Sequence, residues 1–193
     1  MMQGRTDALI VGGGLSGLAV AETLARQGGD YRLVEARSRL GGRVLSESAG
    51  AGRFDMGPAW IWPHNRRLLS LADRLGLDVH GQYASGRLVF QDERGAIRRD
   101  LDFATMGGAL RVAGGLARLP EGLAAGLDPA LISLNTRLTH VRIGGDGVIA
   151  TLDDPDGGAE IAADRLVLAL PPRLIAERIA FGPALPAEAE RAF

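Results

Sequence analysis

Short apolar runs and one amphipathic pattern alternate at the start of the chain. The run from Ala8 to Val11 has β character, a helical pattern follows from Leu18 to Gln27, and Tyr31 to Val34 is the next apolar run. Apolar residues at helical spacing argue for a helix, and short apolar runs between turn residues argue for buried strands. The pattern therefore predicts a strand–helix–strand unit over residues 5–45, and a second, packing helix from Asn65 to Gly76.

The rest of the chain is dominated by strand patterns. Leu88 to Gln91 and Ala96 to Arg98 flank a turn and predict a hairpin, while Pro120 to Gly126 predicts a short helix. Further strands are predicted at Leu131 to Leu134, Leu138 to Ile143, Val148 to Leu152 and Ile161 to Ala163, which form a β-meander over about residues 131–163. The continuous apolar run from Leu166 to Leu170 is typical of a buried parallel strand that returns to the main sheet. The fold class is α/β, with a parallel central sheet and a small antiparallel β-meander.

Glycines stand where the first strand meets its helix. Gly12, Gly14 and Gly17 follow the first apolar run in the spacing G-x-G-x-x-G, with Leu15 and Ser16 between them. Such a turn lets a pyrophosphate approach the backbone, lets the helix pack close to the strand, and presents the N–H groups of the helix N-terminus. The strand–turn–helix context predicts a dinucleotide site.

Glu35 closes the second apolar run, about 20 residues beyond the glycines, where a dinucleotide-binding unit places an acid against ribose hydroxyls. A carboxylate there would repel a 2′-phosphate, which disfavours NADP and leaves FAD and NAD open. The alternative is a solvated glutamate at a strand end.

A second glycine pair, Gly41 and Gly42, is followed by Arg43. A nicotinamide-binding domain has no need of this Gly-Gly-Arg segment, whereas a longer dinucleotide such as FAD can use it. Gly41 and Gly42 would let the ligand come close to the backbone, and Arg43 would supply a bidentate positive charge for the pyrophosphate. The alternative for Arg43 is an ordinary surface arginine.

Three segments carry a family resemblance: V-G-G-G-L-S-G-L over 11–18, E-A-R-S-R-L-G-G-R over 35–43 and F-D-M-G-P-A-W over 54–60. Together they resemble the flavin-containing amine oxidases of the monoamine oxidase type and, more broadly, the protoporphyrinogen oxidases and phytoene desaturases. The pair Trp60 and Trp62 is more similar to the amine-oxidase branch.

The resemblance implies a Rossmann-like FAD-binding domain, with residues 1–193 as a single domain and about residues 77–108 as a reduced remnant of the substrate region. It covers the N-terminal, FAD-binding half of the family pattern, so we expect a reduced or truncated member. The late glycine-rich segment that binds the flavin end, and a lysine near flavin N5, belong to the other half. The implied cofactor site consists of Gly12, Gly14, Leu15, Ser16, Gly17, Glu35, Ala36, Arg37, Gly42, Arg43, Gly57, Pro58, Ala59, Trp60 and Leu138, the last through its backbone beside the adenine.

The amino-acid composition excludes several kinds of partner and catalytic group. The 193 residues are 46% hydrophobic and 23% charged with a net charge of −1, which is globular and gives no case for a nucleic-acid or membrane partner. Cysteine is absent and all 22 basic residues are arginines, which excludes thiolate metal sites, cysteine nucleophiles and Schiff-base lysines. We expect no metal. With no signal-peptide pattern and no apolar stretch near ~20 residues, we expect a cytoplasmic protein.

Three functions remain open. The first is an FAD-dependent oxidoreductase of the amine oxidase type, which oxidises a C–N bond of a small-molecule amine. The second is an FAD-binding module without turnover, and the third is an NAD-dependent dehydrogenase, which leaves the second glycine pair and Gly57 to Trp60 without a role. No catalytic residue can be assigned from the sequence; His64 and His80 are candidates only because few others exist. Homo-oligomerisation is left open.

Overall fold

The computed structural model describes residues 4–101, 103 and 105–192. It divides into two compact units, Met1–Val44 with Pro120–Phe193, and Leu45–Leu119, which are described separately below. The single-domain organisation stays a prediction. Residues 102 and 104, inside the predicted substrate-region remnant, lie outside the described residues.

The described residues form 13 short strands and five α-helices. The strands are β1 (Arg5–Val11), β2 (Tyr31–Val34), β3 (Ser46–Ala49), β4 (Gly52–Asp55), β5 (Val79–Gly81), β6 (Phe90–Gln91), β7 (Ile97–Arg98), β8 (Leu110–Val112), β9 (Ile132–Ser133), β10 (Arg137–Gly144), β11 (Gly147–Asp153), β12 (Ala159–Leu168) and β13 (Ala180–Gly182). The helices are α1 (Leu15–Arg26), α2 (Arg66–Arg74), α3 (Arg118–Ala125), α4 (Pro172–Arg178) and α5 (Ala187–Ala192), with a single 3₁₀ turn at Pro129–Leu131 among the described residues.

The first unit is organised around a sheet that has seven strands within the described residues, in the order β13-β10-β11-β12-β1-β2-β9. The strands β12, β1, β2 and β9 run parallel, while β10, β11 and β12 form antiparallel pairs. A parallel centre with a β-meander was predicted, and the fold class is confirmed.

The meander differs from the prediction in two respects. The segment 131–134, predicted as its first strand, forms β9, which pairs in parallel with β2 at the opposite edge of the sheet. The remaining meander strands continue the main sheet, because residues 161–163 and 166–168, predicted as two strands, belong to the single strand β12. Residues 159–163 of β12 pair with β11 and residues 162–168 pair with β1, so Ala162 and Ala163 pair with both strands. The polar pair Asp164 and Arg165 suggests a break in the sequence, but both side chains are exposed and Asp164 forms an ion pair with Arg5 on the neighbouring strand. The predicted strand end at Leu170 is also corrected, to Leu168, and α4 follows.

The core of this unit lies between the sheet and its helices. Leu9, Ile10 and Leu33 of the central strands are fully buried, and Leu18 and Ala21 of α1 are fully buried as well. Helix α4 begins at the Pro171-Pro172 pair and adds Ile175 to the same core cluster as Leu9 and Val141. The apolar strands and the apolar face of α1 are therefore buried, as their sequence patterns predict.

The second unit is made of short paired segments. The hairpin β3–β4, the pair β5–β8 and the hairpin β6–β7 are all antiparallel, and α2 follows the first hairpin. The predicted helix at 65–76 and the predicted hairpin at 88–98 are confirmed. The pairing of β5 with β8 was not predicted, since three-residue strands leave too little periodicity to recognise.

Candidate functional site

The glycine turn after β1 is held by contacts that only glycine permits. Gly12 has φ +107° and donates its N–H to the Val34 carbonyl at 2.8 Å. A Cβ on Gly12 would lie 2.6 Å from the Ala169 carbonyl oxygen, and one on Gly17 would overlap the Gly12 carbonyl oxygen. The first and third glycines of the motif are therefore required by packing, as predicted for a tight strand-to-helix turn.

Within the described residues, no side chain caps the N-terminus of α1. Gly14 is the N-cap, it makes no side-chain capping hydrogen bond, and the first turn contains no acidic residue. Leu15 is half-buried and Ser16 is exposed. The free N–H groups and partial positive charge of such a terminus favour an anionic ligand.

Glu35 lies directly beside this turn. Its side chain is buried, with Oε2 accepting the Gly13 N–H at 2.7 Å and Oε1 accepting the Arg37 N–H at 2.9 Å. An ionised carboxylate accepts about four hydrogen bonds, so acceptor capacity remains for a ligand. Glu35 is therefore a fixed anion at the end of β2 rather than a solvated strand-end residue.

The second glycine pair is brought against the first. Gly41 forms an isolated parallel bridge with Gly14 and donates its N–H to the Gly13 carbonyl at 2.8 Å. Gly42 has φ +60°, and a Cβ there would lie 3.1 Å from the Gly14 Cα. The two glycine segments thus form one continuous backbone surface.

The arginines of this segment divide into two kinds. Arg37 and Arg39 donate to the Gly42 carbonyl at 3.2 and 2.9 Å, so both hold the loop. Arg43 is exposed, and within the described residues its guanidinium makes no hydrogen bond or ion pair. Sequence reasoning gave Arg37 a ligand role and overlooked Arg39; the signal that could have found both is the repeated arginine just before a Gly-Gly turn with free carbonyls.

Ala36 and Leu138 complete the predicted residues of the first unit. Ala36 is exposed next to Glu35, and the following segment is tied to 133–136 by Thr136 N–H to Glu35 carbonyl (2.9 Å) and Asn135 N–H to Arg37 carbonyl (3.0 Å). The Leu138 side chain is buried in the core, which leaves only its backbone for a ligand.

The remaining predicted residues, Gly57 to Trp60, belong to the second unit. Gly57 and Pro58 are exposed, Ala59 is buried, and Trp60 is 44% exposed while its Nε1–H donates to Gln82 Oε1 at 3.0 Å. His64 and His80 are exposed, and within the described residues the side chain of neither histidine makes a hydrogen bond.

Sequence reasoning missed a buried acid in this unit. The Asp55 side chain is 2% exposed, Oδ1 accepts from Ser46 Oγ (2.6 Å) and the Leu116 N–H (2.8 Å), and Oδ2 accepts from Arg111 (3.1 Å). Asp55 stands in the sequence within F-D-M-G-P-A-W, and its partners Arg111 and Leu116 lie 56 and 61 positions away, so no local pattern marks its burial.

Two absences concern the described residues only. No helix there is long and apolar enough to cross a bilayer. No group of three or more His, Asp or Glu side chains there is arranged to hold a metal ion.

Two family models match the chain. A model of an NAD(P)-binding Rossmann-like domain matches residues 10–75, and the model of the flavin containing amine oxidoreductases matches residues 91–193, more than half of the chain. The chain belongs to the flavin-containing amine oxidoreductase family. Members of this family are flavin-dependent oxidoreductases that use FAD.

Curated relatives match over a limited stretch. Putrescine oxidase of Kocuria rosea is 38% identical over 84 residues, 44% of this chain and 18% of that protein. A putative flavin-containing monoamine oxidase of Mycobacterium tuberculosis is 39% identical over 85 residues, 44% of this chain and 19% of that protein. The human amine oxidase B is 35% identical over 89 residues. The aligned stretch thus spans about a fifth of the length of these relatives.

Solved structures share the fold over nearly the whole chain. A putrescine oxidase bound to putrescine superposes with a TM-score of 0.85 at 20% identity, covering 98% of this chain and 63% of that one. A cyclohexylamine oxidase from Brevibacterium oxydans gives 0.81 at 19% identity, covering 97% and 62%. At this identity the likeness speaks for the fold, and the chain spans less than two thirds of either structure.

The first unit fits the adenosine and pyrophosphate part of FAD. A Cβ at Gly12, Gly17 or Gly42 would crowd the turn. The α1 terminus without a capping side chain, and the Arg43 guanidinium, which is unpaired within the described residues, could hold a pyrophosphate. The Glu35 carboxylate could accept from ribose hydroxyls.

Proposed function

We propose that this chain binds FAD through the first unit and serves the flavin-dependent oxidation of an amine. The observation that carries the proposal is the Glu35 carboxylate, held by the Gly13 N–H at 2.7 Å beside the uncapped N-terminus of α1. A fixed acceptor for ribose and a set of backbone N–H groups for phosphate then lie side by side, at the end of β2 and at the start of α1.

Gly12, Gly17 and Gly42 allow the close backbone packing of the turn in this proposal, and the other predicted residues contact the cofactor. Gly14, Leu15 and Ser16 present backbone N–H groups to the pyrophosphate, and Arg43 adds its guanidinium. Glu35 binds the ribose, Ala36 and Arg37 line the same edge, and the Leu138 backbone lies beside the adenine. Gly57 to Trp60 line the flavin side, a role that rests on the family resemblance.

When bound, FAD would supply the acceptor for the hydride equivalent lost from the carbon that bears the amine. The chain's own residues bind and orient the cofactor, and the described part of the chain offers no lysine and no buried histidine as a base. The amine substrate class is supported by the similarity to putrescine oxidase and to a monoamine oxidase.

The test is an absorbance scan of the purified protein followed by the mass of the released cofactor. A flavin spectrum and the mass of FAD support the proposal. Anaerobic addition of an amine such as putrescine or benzylamine should bleach the flavin. A flavin spectrum that no amine bleaches would instead support an FAD-binding module without turnover.

An NAD-dependent dehydrogenase is the competing function, favoured by the match of residues 10–75 to an NAD(P)-binding domain. A thermal-shift titration separates the two, because a ligand stabilises the folded state according to its affinity. We expect FAD to raise the Tm at lower concentration than NAD. Greater stabilisation by NAD would overturn the choice of cofactor.

A further inference from the structure

A chain of polar contacts links the buried Asp55 to the exposed Trp60 within the second unit. Asp55 Oδ2 accepts from Arg111 Nη2 at 3.1 Å, and Arg111 Nη1 donates to Gln82 Oε1 at 3.4 Å. The same Gln82 oxygen accepts the Trp60 Nε1–H at 3.0 Å. The indole N–H, which an exposed tryptophan would ordinarily offer to water, is thus bound to protein.

Backbone pairing brings these side chains together. Leu110, next to Arg111, pairs with Gly81 in β5 and also forms a bridge with Ile61, the residue after Trp60. Both Ile61–Leu110 hydrogen bonds are 2.8 Å long, and the Gln82 N–H donates to the Ala109 carbonyl at 2.7 Å. The short strand β8 therefore fixes the backbones on both sides of the Trp60–Gln82 contact.

The Gln82 amide can take only one orientation. Trp60 Nε1 and Arg111 are donors without acceptor capacity, so the amide oxygen must face both. The amide nitrogen then donates to the Tyr83 carbonyl at 3.0 Å. All three contacts are satisfied at once, and a flipped amide would lose all three.

Arg111 is the central member because its guanidinium serves two acceptors. One nitrogen contacts Asp55, which is 2% exposed and also receives the Leu116 N–H, while the other contacts Gln82. A guanidinium has a rigid fork of donors, whereas a lysine ammonium is a point charge on a flexible stem. Lysine could neutralise Asp55 but could not hold Gln82 in a defined place.

We propose that Gln82 and Arg111 are positioning residues that fix the indole of Trp60, with Asp55 as their buried anchor. This proposal deepens the proposed function, since Trp60 is one of the residues expected beside the flavin. The role of a fixed Trp60 in cofactor binding rests on that proposed function. The fixed indole itself is a property of the second unit and can be measured without any cofactor.

The experiment uses near-ultraviolet circular dichroism of the full chain carrying Trp62→Phe, so that Trp60 is the remaining tryptophan. A side chain held in a fixed asymmetric place gives such a signal and loses it when it becomes mobile. Gln82→Met should reduce the indole signal roughly twofold or more, because it keeps the volume but removes the acceptor. Gln82→Glu should keep more of it than Gln82→Met, because a carboxylate still accepts from Trp60 and Arg111 and loses only the donation to the Tyr83 carbonyl.

A second pair separates positioning from stability. Arg111→Met should lower both the indole signal and the urea midpoint, because Asp55 is left without its cation. Arg111→Lys should restore the urea midpoint and leave the indole signal reduced. Gln91→Met and Arg99→Met, at exposed positions of the same unit, are the matched controls and should change neither the indole signal nor the urea midpoint.

An unchanged indole signal in Gln82→Met and Arg111→Lys would overturn the proposal, as would a loss in Gln82→Glu equal to that in Gln82→Met. Titration of FAD into the Trp62→Phe protein decides the proposed function separately: absence of binding refutes that function, while the indole measurements still decide the positioning.

Discussion

The Glu35 carboxylate accepts the Gly13 N–H at 2.7 Å, and so joins the tip of β2 to the glycine turn after β1. Its other oxygen accepts the Arg37 N–H at 2.9 Å, which fixes the start of the segment that leads to the second glycine pair. One side chain therefore shapes both glycine segments, and it is also the proposed acceptor for the ribose. Structural and ligand-binding roles of Glu35 have to be separated by experiment.

Glu35→Ala should weaken FAD binding and also destabilise the fold. The loss of a charge-assisted hydrogen bond to ribose should cost about 1–3 kcal/mol of binding free energy, and the two backbone N–H groups left unpaired should cost about 1–3 kcal/mol of unfolding free energy. Flavin titration and urea denaturation measure the two effects. Glu93→Ala, at an exposed turn position, is the control and should change neither.

Arg43→Ala should weaken FAD binding without changing stability. Arg43 is exposed and has no protein partner among the described residues, so its removal should alter the unfolding free energy by less than about 0.5 kcal/mol. The lost contact to the pyrophosphate should cost about 1–3 kcal/mol of binding. Arg173→Ala, an exposed arginine of the same unit, is the matched control for charge. Equal FAD affinity of wild type and Arg43→Ala would remove Arg43 from the site.

Substitution of two glycines of the same turn by alanine should affect different properties, stability at Gly17 and FAD affinity at Gly14. A Cβ on Gly17 would overlap the Gly12 carbonyl oxygen, so Gly17→Ala should lose about 3 kcal/mol or more of unfolding free energy by overpacking. Gly14 has ordinary extended angles (φ −76°, ψ 178°), and a Cβ there would make only a 3.8 Å contact with the Gly42 Cα.

Gly14→Ala should therefore fold normally but bind FAD on the order of tenfold more weakly, because the methyl group stands where the pyrophosphate approaches the backbone. Urea midpoints and flavin titration of the two variants, side by side, measure the contrast. Equal loss of stability in both variants would contradict the packing argument, and unchanged FAD affinity in Gly14→Ala would contradict the phosphate role of the turn.

Local patterns predicted the elements that local chemistry determines. Gly12 and Gly17 could be assigned to a tight turn because the strand before them and the helix after them are both visible in the sequence. Glu35 could be assigned to the strand tip by spacing.

The continuity of β12 could not be predicted from the sequence. Asp164 and Arg165 look like a break in the strand until the ion pair between Asp164 and Arg5, at the other end of the chain, is known.

The polar network of the second unit escaped prediction for the same physical reason. Asp55 and Arg111 are 56 positions apart and carry no periodic signal, and Gln82 reaches Arg111 only through the pairing of β5 with β8. Burial and backbone pairing create these contacts, and both are properties of the folded chain. The sequence shows where Asp55 and Arg111 stand along the chain, but not that their side chains form an ion pair in the fold.

Tyr31 offers a prediction on pH dependence. Its side chain is buried, its hydroxyl has no hydrogen-bond partner within the described residues, and its pKa is raised above 10.0 by burial and, to a smaller extent, by the negative charge of Asp128. In the unfolded chain Tyr31 loses its proton near its ordinary value, while the folded chain retains it. The unfolded state then binds fewer protons, so stability is fully present below pH 10.0 and falls as pH rises toward the raised pKa.

Tyr31→Phe should therefore flatten the alkaline fall in unfolding free energy. At neutral pH it should cost nothing, or stabilise by up to about 1 kcal/mol, because it removes a buried hydroxyl without a partner. Urea denaturation at a series of pH values from neutral to alkaline measures both effects. Tyr83→Phe is the natural control, since Tyr83 is 81% exposed and its substitution should leave the alkaline slope unchanged. An alkaline slope that survives Tyr31→Phe would assign the loss of stability to other groups and show that burial at Tyr31 does not govern it.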